Sequence, residues 1–183
     1  PVFRHTGDGG IALGHNGNLI NTGELARLAA ESEVERGDVL LPGFATPDAS
    51  SDTDLVTELL ANHPSRSLEK AALEVLPLLK GAFSFVFMDE STLYAARDPQ
   101  GIRPLVVGRL ERGWVVASET AALDIVGASY VREVEPGELV AVDEHGLRTQ
   151  HFAEPDPKGC IFEYVYLARP DTSIAGRSVH EAR

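Results

Sequence analysis

Leu79-Lys80-Gly81-Ala82-Phe83-Ser84-Phe85-Val86-Phe87-Met88 is where the sequence changes period. Upstream of it, Leu68, Ala71, Ala72, Val75 and Leu79 recur at the three- and four-residue spacing of one helix face, which predicts a helix from Ser67 to Leu79 ended by Gly81. Downstream, short runs rich in Val, Phe, Ile and Tyr are separated by turns. They predict strands at Phe83–Met88, Thr92–Arg97, Leu105–Arg109, Trp114–Ser118, Tyr130–Val134 and Leu139–Val142, with a short helix at Thr120–Val126. Links as short as Asp89-Glu90-Ser91 and Glu111-Arg112-Gly113 fit antiparallel hairpins. Helices grouped first and strands grouped after them give an α+β layered fold with antiparallel sheets; a doubly wound parallel sheet would need the two to alternate.

Towards the start, Ser51 or Asp52 can cap a further helix with Leu55, Leu59 and Leu60 on one face. Leu41 to Ser51 is rich in Pro, Gly and Ser and joins two helices rather than two domains. Asn21 can cap an earlier helix, with Glu24 three residues on and Leu25, Leu28 and Ala29 inward, and Gly10–His15 reads as a short buried strand.

Composition bounds the partners. The 183 residues carry 16 Lys and Arg against 28 Asp and Glu, a formal charge of −12. Polyanions are bound through a surplus of cations, so nucleic acid and anionic membrane surfaces are excluded as expected partners. No apolar run approaches the roughly 20 residues of a membrane span. One Cys forms no internal disulfide, which suits a reducing, cytoplasmic setting, and 43% hydrophobic residues suffice for a core without staples. Pro1-Val2-Phe3-Arg4 has neither initiator Met nor signal-peptide character and reads as the middle of a longer chain.

His15-Asn16-Gly17-Asn18-Leu19 follows the first strand. Asn-Gly is foremost a type I′ hairpin turn. Here a helix start follows rather than a returning strand, which favours another use: an Asn side-chain amide and a Gly backbone N–H directed the same way can hold the oxyanion of an acyl-transfer intermediate. Ser51-Asp52-Thr53-Asp54 is plain helix capping or, in addition, a carboxylate for a substrate ammonium. Arg97-Asp98-Pro99-Gln100-Gly101-Ile102-Arg103-Pro104-Leu105 reads as a tight inter-strand link with an internal Arg–Asp ion-pair network. Ser118-Glu119 reads as a helix cap, and Cys160 as a small buried hydrophobe in a segment of alternating apolar and polar groups that Pro170 ends. The six His show no metal-site spacing, and the glycines form no nucleotide-binding loop.

Together, Ala12–Leu19, Ser51–Asp54, Gly81–Ser84, Arg97–Leu105, Ser118-Glu119, Pro136-Gly137-Glu138 and Phe162–Asp171 resemble, in order, the glutaminase domain of the amidophosphoribosyltransferase family. The Asn-Gly and Arg-Asp-Pro pieces are shared with other N-terminal-nucleophile amidotransferases. The resemblance implies an αββα sandwich of two antiparallel sheets between helix layers, an incomplete glutaminase domain over 1–183, and a junction at 160–183 towards a phosphoribosyltransferase domain. It implies that Asn16 and Gly17 form the oxyanion hole and that Asp52 binds the α-ammonium of L-glutamine. The family's nucleophile is a Cys at the mature N-terminus, with an Arg nearby for the glutamine carboxylate, both expected outside Pro1–Arg183.

Ammonia released from glutamine then replaces the pyrophosphate of phosphoribosylpyrophosphate to give 5-phosphoribosylamine, a step of purine biosynthesis. The resemblance implies no cofactor within the chain itself, Mg²⁺ in the phosphoribosyltransferase domain, a homo-oligomer, and no ammonia release by the 183 residues alone. Some members carry a four-Cys iron–sulfur cluster whose first ligand aligns with Cys160; members without the cluster keep a Cys there too. A non-catalytic glutamine- or partner-binding relative is the alternative. A catalytic Pro1 amine lacks the barrel and Arg pair that such chemistry uses.

Overall fold

The computed structural model describes residues 1–6, 9–35 and 51–183, with side chains outside 31–35. One antiparallel sheet holds, in spatial order, β1 (Val2–Thr6), β2 (Gly9–Leu19), β3 (Gly81–Met88), β4 (Leu93–Arg97), β8 (Glu138–Asp143) and β9 (Gly146–His151). A second sheet orders β6 (Gly113–Ala117), β5 (Val106–Leu110) and β7 (Ser129–Glu133). On the first sheet lie α1 (Thr22–Glu35), α2 (Asp52–Ala61) and α3 (Leu68–Val75), and on the second lies α4 (Thr120–Val126).

The pleat of β3 explains the layering. Phe83, Phe85 and Phe87 alternate onto the helix side, where they meet Leu25, Val56, Leu60, Ala72 and Val75. On the opposite face Ala95 and Val140 pack on Leu105, Val107 and Val134 of the second sheet, with Trp114 against them. Leu123 of α4 then closes the outer side of that sheet on Val106. The order helix, sheet, sheet, helix is the expected αββα sandwich, and the predicted strands all form.

Several local expectations change. The Ser67 helix stops at Val75, because Pro77 tightens Leu76–Leu78 into a 3₁₀ turn and leaves Leu79 extended. Gly81 does not cap that helix but starts β3, at φ +133°, where a Cβ would stand 2.4 Å from the Asn18 carbonyl oxygen. The strand at Gly10–His15 continues to Leu19, so Asn16-Gly17 is no hairpin turn: Asn16 pairs with Ser84 and Gly17 with Phe83. β1 and the largely exposed edge strand β9 give no clear sequence pattern. Asn21 stands at the start of α1, its carbonyl accepting from the Leu25 N–H at 3.1 Å and its Nδ2 donating to Glu24 at 3.1 Å, but its Oδ1 accepts from the Lys80 N–H at 3.0 Å rather than from a helix N–H. The buried face of α2 is Val56, Leu59 and Leu60, with Leu55 half-buried. The linker over 41–50 lies outside the described residues.

After β9 the chain forms a π-helical segment, Glu163–Leu167, then β10 (Ser173–Ile174), β11 (Arg177–Ser178) and α5 (Val179–Ala182). Ala168, Ile174 and Val179 make a small cluster of their own. Thr172 Oγ1 accepts from the Ala121 N–H at 3.3 Å, and the Arg169 N–H donates to Glu119 at 2.9 Å. The segment presents Ile161, Phe162, Val165 and Tyr166 outward, Tyr166 being 79% exposed.

Candidate active site

β2 outruns its outer neighbour. β1 pairs with it only as far as Val2 opposite Leu13, whereas β3 follows it to Leu19. In an antiparallel ladder, residues alternate in directing their N–H and C=O to one neighbour or the other. Phe83 exchanges bonds on the β4 side, accepting from the Asp98 N–H at 2.9 Å and donating to Asp98 Oδ2 at 3.2 Å. Its partner Gly17 therefore directs its N–H away from β3, onto the edge that β1 leaves uncovered. Leu19, two residues on, points the same way and donates to Asp52 Oδ2 at 3.1 Å. Gly is required at 17, since a Cβ would stand 2.0 Å from the Ala82 carbonyl oxygen and 2.8 Å from His15 Nε2.

Asn16 faces the second sheet. Its Oδ1 accepts from Arg103 Nη2 at 2.7 Å and its Nδ2 donates to Ser118 Oγ at 2.8 Å. A carboxamide NH₂ has two hydrogens. Ser118 takes one of them, and Asn16 and Gly17 are consecutive residues on the stretch of β2 that β1 leaves uncovered.

Ser51 and Asp54 form a reciprocal capping box, and Asp52 Oδ1 accepts from the Thr53 N–H at 2.9 Å. Its carboxylate turns to β2, where Oδ2 takes the Leu19 N–H and Oδ1 lies 3.4 Å from His15 Nδ1. The Asp52 side chain keeps 18% exposure. His15 packs on Phe85 with ring centroids 4.5 Å apart. Burial pushes its imidazole below the ordinary value, against the pull of Asp52, and Arg103 lowers it further. A neutral His15 can give Nδ1–H to Asp52 and hold that carboxylate in place.

Four residues read from the sequence as structural belong to this site's support. Arg97 and Arg103 do not pair with Asp98, because Asp98 is fully buried and spends both oxygens on backbone N–H groups of Phe83, Ile102 and Arg103. Arg97 pairs with Glu133 at 3.2 Å, and Arg103 with Glu163 at 2.5 Å. Burial pushes the Glu163 carboxyl up while Arg103 pulls it down. Ser118 accepts from Asn16 instead of capping α4. The two arginines of the Arg97–Leu105 link were the available signal; their partners, 36 and 60 residues away, were not.

Cys160 is half-buried and free, just before the π-helical segment. Among the described residues no three His, Cys, Asp or Glu side chains gather as a metal site. One thiolate does not make the four-ligand set of an iron–sulfur cluster.

Residues 1–125 match the family described as "Glutamine amidotransferase domain". Over its full length the chain is 60% identical to the amidophosphoribosyltransferase of Mycobacterium tuberculosis, covering 34% of that protein. It is 39% identical to that of Bacillus subtilis, covering 36% of it. The chain thus spans about a third of the length of these curated relatives. The solved structure of the B. subtilis glutamine phosphoribosylpyrophosphate amidotransferase, complexed with ADP and GMP, superposes with a TM-score of 0.86 at 36% identity, covering all of this chain and 38% of that one. The chain, with its αββα frame, therefore belongs to the glutamine amidotransferase domain family.

Proposed function

We propose that the chain is the glutaminase domain of an amidophosphoribosyltransferase, with 160–183 as its junction to a phosphoribosyltransferase domain. The observation that carries this reading is the β2 register, which frees the Gly17 N–H beside an Asn16 amide whose oxygen is already taken by Arg103. The 60% identity to a mycobacterial amidophosphoribosyltransferase supports the choice among amidotransferases.

In this reading the α-ammonium of glutamine binds Asp52, which brings its γ-carboxamide to the donor pair. A cysteine thiolate of the longer protein attacks the carboxamide carbon, and the C=O electron pair moves onto oxygen. Asn16 Nδ2 and the Gly17 N–H stabilise that oxyanion. The oxyanion then re-forms the carbonyl, the C–N bond breaks, and the leaving nitrogen departs as ammonia with a proton supplied by the nucleophile's own α-amine. Water hydrolyses the glutamyl thioester to glutamate. Ammonia attacks phosphoribosylpyrophosphate in the second domain, displaces pyrophosphate and yields 5-phosphoribosylamine, with Mg²⁺ on the phosphates there. A cytoplasmic homo-oligomer is the expected state, and neither nucleic acid nor membrane is a partner.

The test uses the full-length protein carrying this chain. Asn16→Ala should lower glutamine-dependent kcat by roughly 10²–10³ while ammonia-dependent synthesis continues. Glutamine binding without ammonia release in the unsubstituted protein would instead favour a non-catalytic relative.

A further inference from the structure

We propose that Arg103 and Glu163 are positioning residues that fix which face of the Asn16 carboxamide meets the substrate. This rests on the reading of Asn16 as an oxyanion donor. The terminal torsion of an Asn side chain is soft and nearly two-fold, so its oxygen and nitrogen exchange places at small intrinsic cost. Only one orientation is useful: a flipped amide would turn a carbonyl oxygen towards the developing negative charge. Ser118 does not decide between the two, because a hydroxyl both donates and accepts. Arg103 does decide, because a guanidinium only donates, and its Nη2 stands 2.7 Å from the Asn16 oxygen.

The Arg103 guanidinium is itself held from the other end. Glu163 Oε1 accepts from Nη1 at 2.5 Å, in a pair whose side chains are 18% and 5% exposed. The Arg103 Nε is buried and finds no partner among the described residues, so no third bond from that nitrogen maintains the head group. The backbone at 103 is fixed separately, by its N–H to Asp98 at 3.2 Å and its carbonyl accepting from Arg97 Nε at 2.9 Å. The side chain therefore depends on Glu163 at one end and Asn16 at the other. Glu163 is the inward-facing residue of a segment whose neighbours Phe162 and Val165 point outward, at 65% and 61% exposure. The line Glu163, Arg103, Asn16 thus ties that C-terminal segment to the donor edge of β2.

The test is a double-mutant cycle in the full-length protein, reading glutamine-dependent against ammonia-dependent synthesis. Arg103→Gln and Glu163→Gln should each lower glutamine-dependent kcat, by up to about 10²-fold, with glutamine KM little changed and a reduced ratio of glutamine to ammonia rates. On an Asn16→Ala background the same substitutions should add almost nothing. Arg103→Lys, which keeps one donor for Oδ1, should recover part of the loss. If Arg103→Gln does not fold, the near-isosteric Glu163→Gln carries the test. Equal losses on both Asn16 backgrounds, or an unchanged ratio, would overturn the positioning role while leaving the oxyanion reading intact. An Asn16→Ala protein with undiminished glutamine-dependent kcat would overturn both.

Discussion

Asp98→Asn changes one atom's chemistry at the point where the site's support is most buried. Asp98 has no exposure; its Oδ2 accepts from the Phe83 and Arg103 N–H groups at 3.2 Å each, and its Oδ1 from the Ile102 N–H at 3.1 Å. Asn supplies one acceptor oxygen. In its better orientation the oxygen keeps the Phe83 and Arg103 bonds, and the NH₂ faces the Ile102 N–H donor to donor. An orphaned buried N–H costs about 1–3 kcal/mol. The two surviving bonds lose their charge assistance, at about 1 kcal/mol each, since bonds to ionised acceptors are roughly twice as strong as neutral ones. Relief from burying a charge offsets part of this, which gives a net loss of about 3 kcal/mol.

Urea unfolding of the 183-residue chain, followed by the fluorescence of its single tryptophan, Trp114, reads that loss directly. With a urea slope of about 2 kcal/mol per M, the midpoint should fall by about 1.5 M at unchanged slope. A fall below about 0.3 M at unchanged slope would show that the three N–H groups do not depend on this carboxylate.

Three further outcomes follow from the same geometry. Gly17→Ala should abolish most glutamine-dependent turnover, because the added Cβ meets the Ala82 carbonyl at 2.0 Å; steady-state kinetics on the full-length protein reads this against retained ammonia-dependent synthesis. Asp52→Asn should raise the KM for glutamine more than it lowers kcat, as the loss of a substrate-ammonium partner requires. His15 sets a pH dependence: the folded chain holds its imidazole below the ordinary value through burial. As pH falls below about 6.5 the unfolded chain takes up the proton first, so stability drops from that point until the folded His15 also protonates. Denaturant midpoints between pH 7 and pH 5 should therefore fall more steeply for the wild type than for His15→Phe, and parallel curves would refute it.

The layering was legible in the sequence because it rests on period. The Phe83, Phe85, Phe87 alternation and the Leu68–Val75 helical face each bury one side against the other. Pattern does not carry register. Asn16-Gly17 has strong turn chemistry, yet a full-length partner strand overrides it: Gly81 lets the backbone of β3 approach β2 closely enough to keep the strand straight through Leu19. The donors Asn16 and Gly17 and the carboxylate Asp52 were named from their residue types and their resemblance to a family. What orients them could not be, because it is long-range. Arg103 reaches Glu163 across 60 residues and Asn16 across 87, and Ser118 reaches Asn16 across 102. Such contacts leave no periodic trace. For the same reason Asp98 looked like an ion-pair partner of its neighbours, when burial turned it to backbone N–H groups instead.

The central claim is that Asn16 and Gly17 together receive the oxygen of the acyl-transfer intermediate. Its most direct test is a crystal structure of the full-length protein with L-glutamate γ-semialdehyde, whose aldehyde forms a tetrahedral adduct with the nucleophilic cysteine. The account predicts the adduct oxygen at about 2.7–3.1 Å from both Asn16 Nδ2 and the Gly17 N, with the α-ammonium on Asp52. An adduct oxygen facing away from β2, with Asn16 still bonded only to Ser118 and Arg103, would contradict it.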